Sequence, residues 1–508
     1  MAKFQTAVID IGSSNIRMKI FENKKSKIKQ LEHIELPLYL GHDTFKHKEI
    51  SFEKVDRLCE ILTSYKKLAN DYGINKISIY ATTAFREALN KDYVIELVKL
   101  RTGLEVIVLD DLEEKTFIYK EIKRIVKGKV KNGVIAYVGS GSLGVSFVEK
   151  GKIKYSQNIR IGSLKLSEIL EPIQEYTKKF HVIVEQYINT YIDVLGDLIK
   201  GNKQNDFIAT GKEISLIAKL FGENINKTQF KISKTAYNTL YNTIKKLTPE
   251  QISNSYNIST DLAETLVPSM AMFKILMDFS NADSFVGYDI SLCDFIGFKN
   301  LHPNLYRQLD QDFYDDIINQ ARHAALRFNY DKPHANALLS HSLLIFDAIK
   351  NIHGLNQRHR LLLRVSCILH DSGKYINLNA HTTHSFNIIS NLEIAGLSME
   401  ELEVIANIAK YHADLLPDKS DYTYAKLSFK NKMVVSKLSA IIKLGDALDE
   451  SHLQKLINTK VDFSDNILKI YTFFKEDITL EEWAFNNKEV FFNNVFGIKT
   501  LLIKERII

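Results

Sequence analysis

Two short segments of the sequence carry the same groups, which could bind phosphate. In residues 7–21 and again in 134–148, an apolar run is followed by a Gly/Ser turn and by alternating apolar and polar residues. Backbone N–H groups in such turns can approach a phosphate closely. The first segment alone is more typical of an ordinary hairpin, and the second copy is what favours a ligand site. The predicted phosphate-binding residues are Gly12, Ser13, Ser14 and Asn15 in the first turn and Gly139, Ser140, Gly141 and Ser142 in the second.

The two turns differ at the residue that ends the preceding apolar run. Asp10 ends the first run and could hold a metal ion, whereas Tyr137 occupies the matching place about 127 residues later. Residues 78–84 and 206–212 repeat at nearly the same offset, each as an apolar run followed by Ala-Thr. This self-similarity predicts two related α/β lobes, residues 1–125 and 126–304, which face each other across a cleft. Gly211 lies in the matching turn of the second lobe.

The helix predicted to begin near residue 82 could bind an anion. Its first turn offers N–H groups, the Thr82 hydroxyl and the Arg86 guanidinium. Arg86 is equally compatible with a surface ion pair. Glu113 and Glu114 follow Asp110 at the start of the next predicted helix, where acidic residues are common for purely structural reasons. Helices are also predicted from about 212 to 280.

From about residue 306 the apolar residues recur with a period of 3.6, which predicts an all-helical domain over 305–455. Imidazole and carboxylate groups on separate helices can converge on a metal that activates water against a phosphate ester. A single buried histidine is normally structural, but an adjacent His-Asp pair after a buried helix favours a metal site. The candidate ligands of these types are His334, His370, Asp371, His381, His384, His412 and Asp446.

Composition restricts the remaining possibilities. A chain of 508 residues predicts three or four domains, the last being a small α/β domain over 456–508. The net charge of +6 is slight, and no basic block indicates a specific nucleic-acid partner. Three widely spaced cysteines favour a reducing compartment. We therefore expect a cytoplasmic protein without a membrane segment.

Taken together, these segments resemble the exopolyphosphatase and guanosine pentaphosphate phosphohydrolase (Ppx/GppA) family. The resemblance implies an α/β fold with two actin- and sugar-kinase-like (ribonuclease H-like) lobes, then an HD-type helical domain and a small α/β C-terminal domain. The stretches that carry it are residues 10–15, 81–86, 112–119, 139–142, 160–163 and 370–375.

The resemblance also implies a function. Orthophosphate would be released in the cleft from the end of inorganic polyphosphate or of guanosine pentaphosphate. Glu114 matches the catalytic carboxylate that readies the attacking water, and Arg86 matches a phosphate-binding arginine. Asp10 would help hold Mg²⁺, and the two turns with Thr82 and Gly211 would bind phosphate. The resemblance further implies a homodimer, and Mn²⁺ or another divalent metal in the HD-type domain. There His334, His370, Asp371 and Asp446 match the HD pattern, and His384 and His412 would be ligands of a second metal.

Two positions depart from the family pattern. The family's second phosphate turn is preceded by Asp and followed by Glu, whereas Tyr137 and Gly144 stand there in this chain. Two alternatives therefore stay open. The cleft could bind polyphosphate or an alarmone without turnover, or the chemistry could reside in a metal-dependent phosphohydrolase site of the helical domain.

Overall fold

The computed structural model describes residues 4–24, 27–126, 128, 130–174, 179–199, 206–211, 213–226 and 229–506. The chain divides into two compact units, Met1–Phe313 and Tyr314–Ile508. The first unit contains two β-sheets with their helices. The second contains a group of helices followed by a three-stranded sheet.

The first sheet of the first unit has five strands in the order β3-β2-β1-β4-β5. Its strands are β1 (Phe4–Ile11), β2 (Asn15–Lys24), β3 (Lys27–Pro37), β4 (Ile77–Ala81) and β5 (Ile107–Val108). The accompanying helices are α1 (Leu40–His47), α2 (Phe52–Asp71), α3 (Thr83–Glu87), α4 (Lys91–Thr102) and α5 (Asp111–Val126).

The central strand β1 is apolar and buried on both faces. Ala7, Ile9 and Ile11 pack into the core with α2 and α4, while Val8 on the opposite face contacts a second cluster that includes Leu292 and Ile296. β1 pairs antiparallel with β2, which places Asp10 opposite Arg17. It pairs parallel with β4 on the other side. The ends of β1 and β4 therefore open at the same edge of the sheet, where Asp10 and Thr82 lie.

The second sheet has seven strands in the order β10-β11-β12-β9-β6-β7-β8. Its strands are β6 (Gly133–Val138), β7 (Leu143–Glu149), β8 (Lys152–Ile159), β9 (Asp206–Gly211), β10 (Glu223–Asn226), β11 (Gln229–Ser233) and β12 (Ser284–Tyr288). The helices are α6 (Ser163–Gln174), α7 (Phe180–Ile199), α8 (Ile214–Phe221), α9 (Lys234–Ile244), α10 (Pro249–Tyr256) and α11 (Thr260–Ser280). The next helix, α12 (Leu292–Leu301), packs against β1 and β2 of the first sheet.

The predicted internal repeat is confirmed by the order of the strands. β3-β2-β1-β4-β5 in the first sheet corresponds to β8-β7-β6-β9-β12 in the second, with the same antiparallel and parallel pairings around β1 and β6. The prediction of helices alone from 212 to 280 is wrong, because β10 and β11 lie within this range. β11 buries Phe230 and Ile232 in alternation with exposed residues. Its 5 residues are too few for this two-residue period to be recognised in the sequence. Residues 212, 227 and 228 lie outside the described residues.

The second unit begins within α13 (Pro303–Arg327), and its helical region and its small α/β tail are both as predicted. The other helices are α14 (Lys332–Ala348), α15 (Gln357–Leu369), α16 (His381–Ser390), α17 (Met399–Lys410), α18 (Tyr422–Ala425) and α19 (Phe429–Ala447), with a 3-10 helix at Ser372–Tyr375. The tail consists of β13 (Leu456–Ser464), β14 (Ile467–Phe474), α20 (Thr479–Phe496) and β15 (Lys499–Arg506). Among the helices of the described ranges, none combines the length and the apolarity needed to cross a bilayer.

Candidate active site

Both Gly/Ser turns line one cavity of about 470 Å³ in the first unit, here called the cleft. The turns have the same backbone closure, since Gly12 N donates to Asn15 O at 3.0 Å and Gly139 N donates to Ser142 O at 2.9 Å. Their side chains meet, with 2.9 Å between Ser14 Oγ and Ser140 Oγ. The predicted residues that line the cleft are Asp10, Gly12, Ser13, Ser14, Asn15, Thr82, Glu114, Gly139, Ser140, Gly141, Ser142 and Gly211.

Glu114 lies in the first turn of α5, where it is buried but borders the cleft. The Asp110 carboxylate caps this helix by accepting from Glu113 N at 2.7 Å. Burial raises the pKa of Glu114, but the positive charges of Lys115 and Arg86 outweigh it and hold the pKa below its ordinary value. Glu114 is therefore ionised at neutral pH and can accept a proton.

Arg86 lies behind Glu114 and directs its guanidinium to protein acceptors. It donates to Leu109 O at 2.8 Å and to Thr83 Oγ1 at 3.0 Å, and both Nη1 and Nη2 lie 3.3 Å from Glu114 Oε2. It also forms an ion pair with Asp111. The structure thus brings Arg86 together with the predicted base. Its predicted contact with phosphate stays a prediction, because this side chain is not part of the cleft lining.

Asp10 ends β1 at the edge of the cleft. Its Oδ1 is buried and has no hydrogen-bond partner among the described residues. Burial raises the pKa of this carboxyl to about 6, against the lowering effect of Arg17. Mg²⁺ commonly binds one or two carboxylates together with substrate phosphates and water. An unsatisfied carboxylate oxygen beside a phosphate-sized cleft fits such an ion, so Asp10 is the residue that would hold it.

The second turn is contacted by a buried cation, Lys115, which belongs to α5 of the first lobe. Lys115 Nζ donates to Ser142 Oγ at 2.6 Å and lies 4.4 Å from the centre of the Tyr137 ring. A Cβ atom at Gly144 would lie only 3.0 Å from Lys115 Cδ. The sequence analysis missed Lys115, because a lysine next to two glutamates at a helix start is typical of a solvated surface.

A second cluster assembles in the helical unit from the predicted metal ligands. The ligand atoms of His334, His370 and Asp446 lie within 4.8 Å of one another, and the same holds for His370, Asp371 and His412. Neither His381 nor His384 belongs to the groups found among the described residues, but His381, the first residue of α16, has its Nε2 3.8 Å from Asp371 Oδ1. His381 therefore lies beside this cluster, and the metal role of His384 stays a prediction. His452, which the sequence analysis also missed, groups with His334 and Asp371.

The imidazoles of this cluster are held by their Nδ1 atoms, a common arrangement for metal-binding histidines. The partners are Asp449 Oδ2 at 2.9 Å for His334, Cys367 O at 2.9 Å for His370 and Ala409 O at 2.6 Å for His412. The Nε2 atoms of His334 and His370 and Oδ1 of Asp371 are buried and make no well-oriented hydrogen bond within the described residues. These nitrogen and oxygen donors fit a divalent transition metal.

Family models match both units of the chain. The model described as the Ppx/GppA phosphatase family covers residues 19–286, which is more than half of the chain. The chain belongs to the Ppx/GppA phosphatase family. A second model, described as Ppx/GppA phosphatase domain III, covers residues 319–489. The assignment of this helical region to the HD type stays a prediction.

Three named relatives match this Ppx/GppA protein in sequence. It is 24% identical over 269 residues to the bifunctional 3-dehydroquinate synthase/phosphatase of Fusobacterium nucleatum, covering 45% of this chain and 40% of that protein. It is 20% identical to the guanosine-5'-triphosphate,3'-diphosphate pyrophosphatase of Photobacterium profundum, covering 80% of this chain and 79% of that protein. It is 20% identical to exopolyphosphatase 1 of Mycobacterium leprae, covering 42% and 64%. The chain thus spans less than two thirds of the length of two of these three relatives.

A solved structure supports the fold. An exopolyphosphatase from Cytophaga hutchinsonii superposes on this Ppx/GppA protein with a TM-score of 0.52 and 18% identity, covering 61% of this chain and 98% of that one. This similarity supports a fold with mixed α/β sheets, as in the solved exopolyphosphatase, and a helical region follows those sheets in this chain.

Proposed function

We propose that the protein is a divalent-metal-dependent phosphohydrolase that releases orthophosphate from the end of inorganic polyphosphate or of guanosine pentaphosphate in the cleft. The observation that carries this proposal is the position of Glu114. An ionised, buried carboxylate borders the same cavity as two facing turns rich in N–H and hydroxyl donors. Such a cavity offers a phosphate both its donors and, in Glu114, a base for the attacking water.

In this proposal Glu114 orients a water molecule and accepts its proton as the water attacks the terminal phosphorus. Arg86 and Lys115 contact Glu114 and stabilise its charged form. Thr82 and the amides of both turns hold the terminal phosphate, whose charge increases at the oxygens during transfer. A divalent ion held by Asp10 would neutralise the phosphate oxygens and the charge that develops there.

The names of the relatives support the choice of substrates. A pyrophosphatase that acts on guanosine-5'-triphosphate,3'-diphosphate and an exopolyphosphatase both match this chain in sequence. The shared chemistry of their named substrates is a terminal phosphoanhydride. We propose the same linkage as the substrate here, with Mg²⁺ as the metal.

The direct test is release of orthophosphate by the wild-type chain from polyphosphate and from guanosine pentaphosphate, with Mg²⁺, with Mn²⁺ and with EDTA. The expected result is metal-dependent release that an Asp371→Asn variant in the second unit retains. Ligand-dependent thermal stabilisation without any release would contradict the proposal and would favour a binding module instead.

The convergence of imidazole and carboxylate groups in the second unit favours a second candidate function, a metal-dependent phosphohydrolase site. Lys374, Lys443 and Lys488 line a cavity of about 600 Å³ beside this cluster and could bind a phosphate group. Isothermal titration of the full chain with Mn²⁺ tests the metal site. We expect His370→Ala to abolish binding and His384→Ala to leave it intact. Equal binding by both variants would exclude the cluster as the metal site.

A further inference from the structure

Lys115 is a buried cation at the wall of the cleft, with 3% of its side chain exposed. Its ammonium contacts three groups that line the cavity. Nζ lies 2.6 Å from Ser142 Oγ, 3.4 Å from Glu114 Oε1 and 4.4 Å from the centre of the Tyr137 ring. Groups from both lobes therefore meet at a single positive charge.

The contact with Lys115 decides whether the Ser142 hydroxyl donates or accepts its other hydrogen bond. An ammonium has three N–H donors and no acceptor, so Ser142 Oγ must accept from Lys115. The Ser142 O–H is then left to donate to another group. Ser142 lines the cleft, and the oxygens of a phosphoanhydride are acceptors. Lys115 thus makes Ser142 a donor to whatever anion the cleft holds.

Neighbouring residues leave room for the lysine and cover it. A Cβ atom at Gly144 would lie 3.0 Å from Lys115 Cδ, 3.3 Å from Lys115 Cε and 3.0 Å from the Tyr119 hydroxyl oxygen. Tyr137 covers Nζ with its ring. A side chain at position 144 would therefore require the lysine stem or the Tyr119 hydroxyl to shift by a few tenths of an ångström.

The charges around Lys115 are mixed. Glu114 and Asp111 on its own helix face it with negative charge, Arg86 from α3 opposes it, and Tyr137 is the titratable group on β6. Burial lowers the pKa of Lys115, against the raising effect of the two carboxylates. In a site with little water, a fixed charge of this kind acts on its neighbours with little screening.

We propose that Lys115 is a positioning residue of the cleft, an inference that rests on the phosphohydrolase function proposed above. Its ammonium keeps the Glu114 carboxylate charged and oriented toward the attacking water, and it turns the Ser142 hydroxyl toward the phosphate.

The test compares Lys115→Met, Lys115→Arg and Lys120→Met by their kcat and KM for release of orthophosphate from inorganic tripolyphosphate across pH. Lys120 is a matched control, because it is a buried lysine of the same helix whose partner is Asp310. Lys115→Met is expected to lower kcat by roughly tenfold to a hundredfold, the cost of a misplaced reacting group. In Lys115→Met the acid limb of the pH–rate profile is expected at higher pH, because removal of the Lys115 charge raises the pKa of Glu114. Lys115→Arg keeps the charge and should restore the acid limb.

Identical kcat, KM and acid limb in Lys115→Met and Lys120→Met would overturn the inference. Gly144→Ala provides a second variant that crowds the lysine stem but keeps its charge, and it should lower kcat less than Lys115→Met does. A binding measurement separates this inference from the proposed function. If the wild type shows no turnover, the proposed function fails, and titration with tripolyphosphate in EDTA still decides the role of Lys115. Weaker binding by both Lys115→Met and Ser142→Ala would support the role toward Ser142, and unchanged affinity would exclude it.

Discussion

The two Gly/Ser turns of the cleft have the same backbone closure but lie beside side chains of opposite charge. Each turn is closed by one backbone hydrogen bond, from Gly12 N to Asn15 O at 3.0 Å and from Gly139 N to Ser142 O at 2.9 Å. The first turn follows Asp10, a carboxylate with an unsatisfied oxygen, whereas the second contacts the Lys115 ammonium. The backbone that we propose to bind phosphate is therefore common to both lobes. Both charged side chains belong to the first lobe: Asp10 precedes the first turn on β1, and Lys115 reaches from α5 to the second turn.

The largest expected difference between the turns is in rate. Asp10→Asn keeps the shape of the residue but removes the proposed metal ligand, and we expect phosphate release to fall by on the order of a hundredfold to a thousandfold, the range seen when one electrostatic partner of a transition state is lost. Tyr137→Phe, the matched change in the other lobe, should cost less than threefold, since the ring that covers Lys115 remains. Equal losses in steady-state assays of the two variants would contradict the division of roles.

The next difference is steric. A Cβ atom at Gly162 would lie 2.4 Å from Gly139 O, Gly141 N and Ser140 C, all backbone atoms of the second turn. At Gly12 the nearest such contact is Asn15 O at 3.2 Å. Gly162→Ala should therefore destabilise the protein by about 1–3 kcal/mol, as over-packing does, and Gly12→Ala by less. Urea unfolding of both variants measures this, and the reverse order would show that the first turn is the tighter one.

A third prediction concerns pH and Asp10. Its pKa is raised from 3.8 to about 6 in the folded chain, so the folded state binds the proton more tightly than the unfolded state. Ionisation of Asp10 therefore lowers the free energy of unfolding. The loss develops between about pH 4 and pH 6, is complete above pH 6 and is absent below about pH 4. In EDTA, Asp10→Asn should be more stable than the wild type by about 1–3 kcal/mol at pH 8 and equally stable at pH 4. Denaturant titrations that show no gain at pH 8 would mean that Asp10 already has a partner.

The smallest expected effect tests the contact between the turns. Ser14 Oγ and Ser140 Oγ are 2.9 Å apart, and a hydrogen bond of this kind contributes about 0.5–1.5 kcal/mol. A double-mutant cycle with Ser14→Ala and Ser140→Ala should give a coupling free energy in this range. Strict additivity would indicate that the two hydroxyls do not interact in solution.

Much of this site was predictable because its residues are local in sequence. The turns, Asp10 and Thr82 each follow a strand or begin a helix, and the internal repeat indicated that the turns belong together, whereas the role of Glu114 was predicted only from the family resemblance. Lys115 could not be predicted, since its role depends on contacts with Ser142 and Tyr137 in the other lobe, and nothing in the sequence marks a lysine beside two glutamates as buried. The strands β10 and β11 were missed because they are only 4 and 5 residues long.

The helical unit shows the same limit. His334, His370, Asp371, His412 and Asp446 were found by residue type and by their places on separate helices, and they do converge. The choice between His381 and His384 depends on which residue of α16 approaches Asp371, and the spacing of three residues does not settle it. Asp449, whose Oδ2 lies 2.9 Å from His334 Nδ1, was not predicted as part of the site.

The measurement that most directly tests the central claim is the rate of orthophosphate release from polyphosphate by Glu114→Gln beside Glu113→Gln. Glu113 precedes Glu114 on the same helix, and its carboxylate accepts a hydrogen bond from Asp110 N. The side-chain oxygen of a glutamine at position 113 can accept the same hydrogen bond. If Glu114 is the base for the attacking water, its variant loses roughly a hundredfold to ten-thousandfold in kcat, while Glu113→Gln stays near the wild type. Undiminished release by Glu114→Gln would show that the hydrolysis does not depend on this carboxylate and would contradict the account.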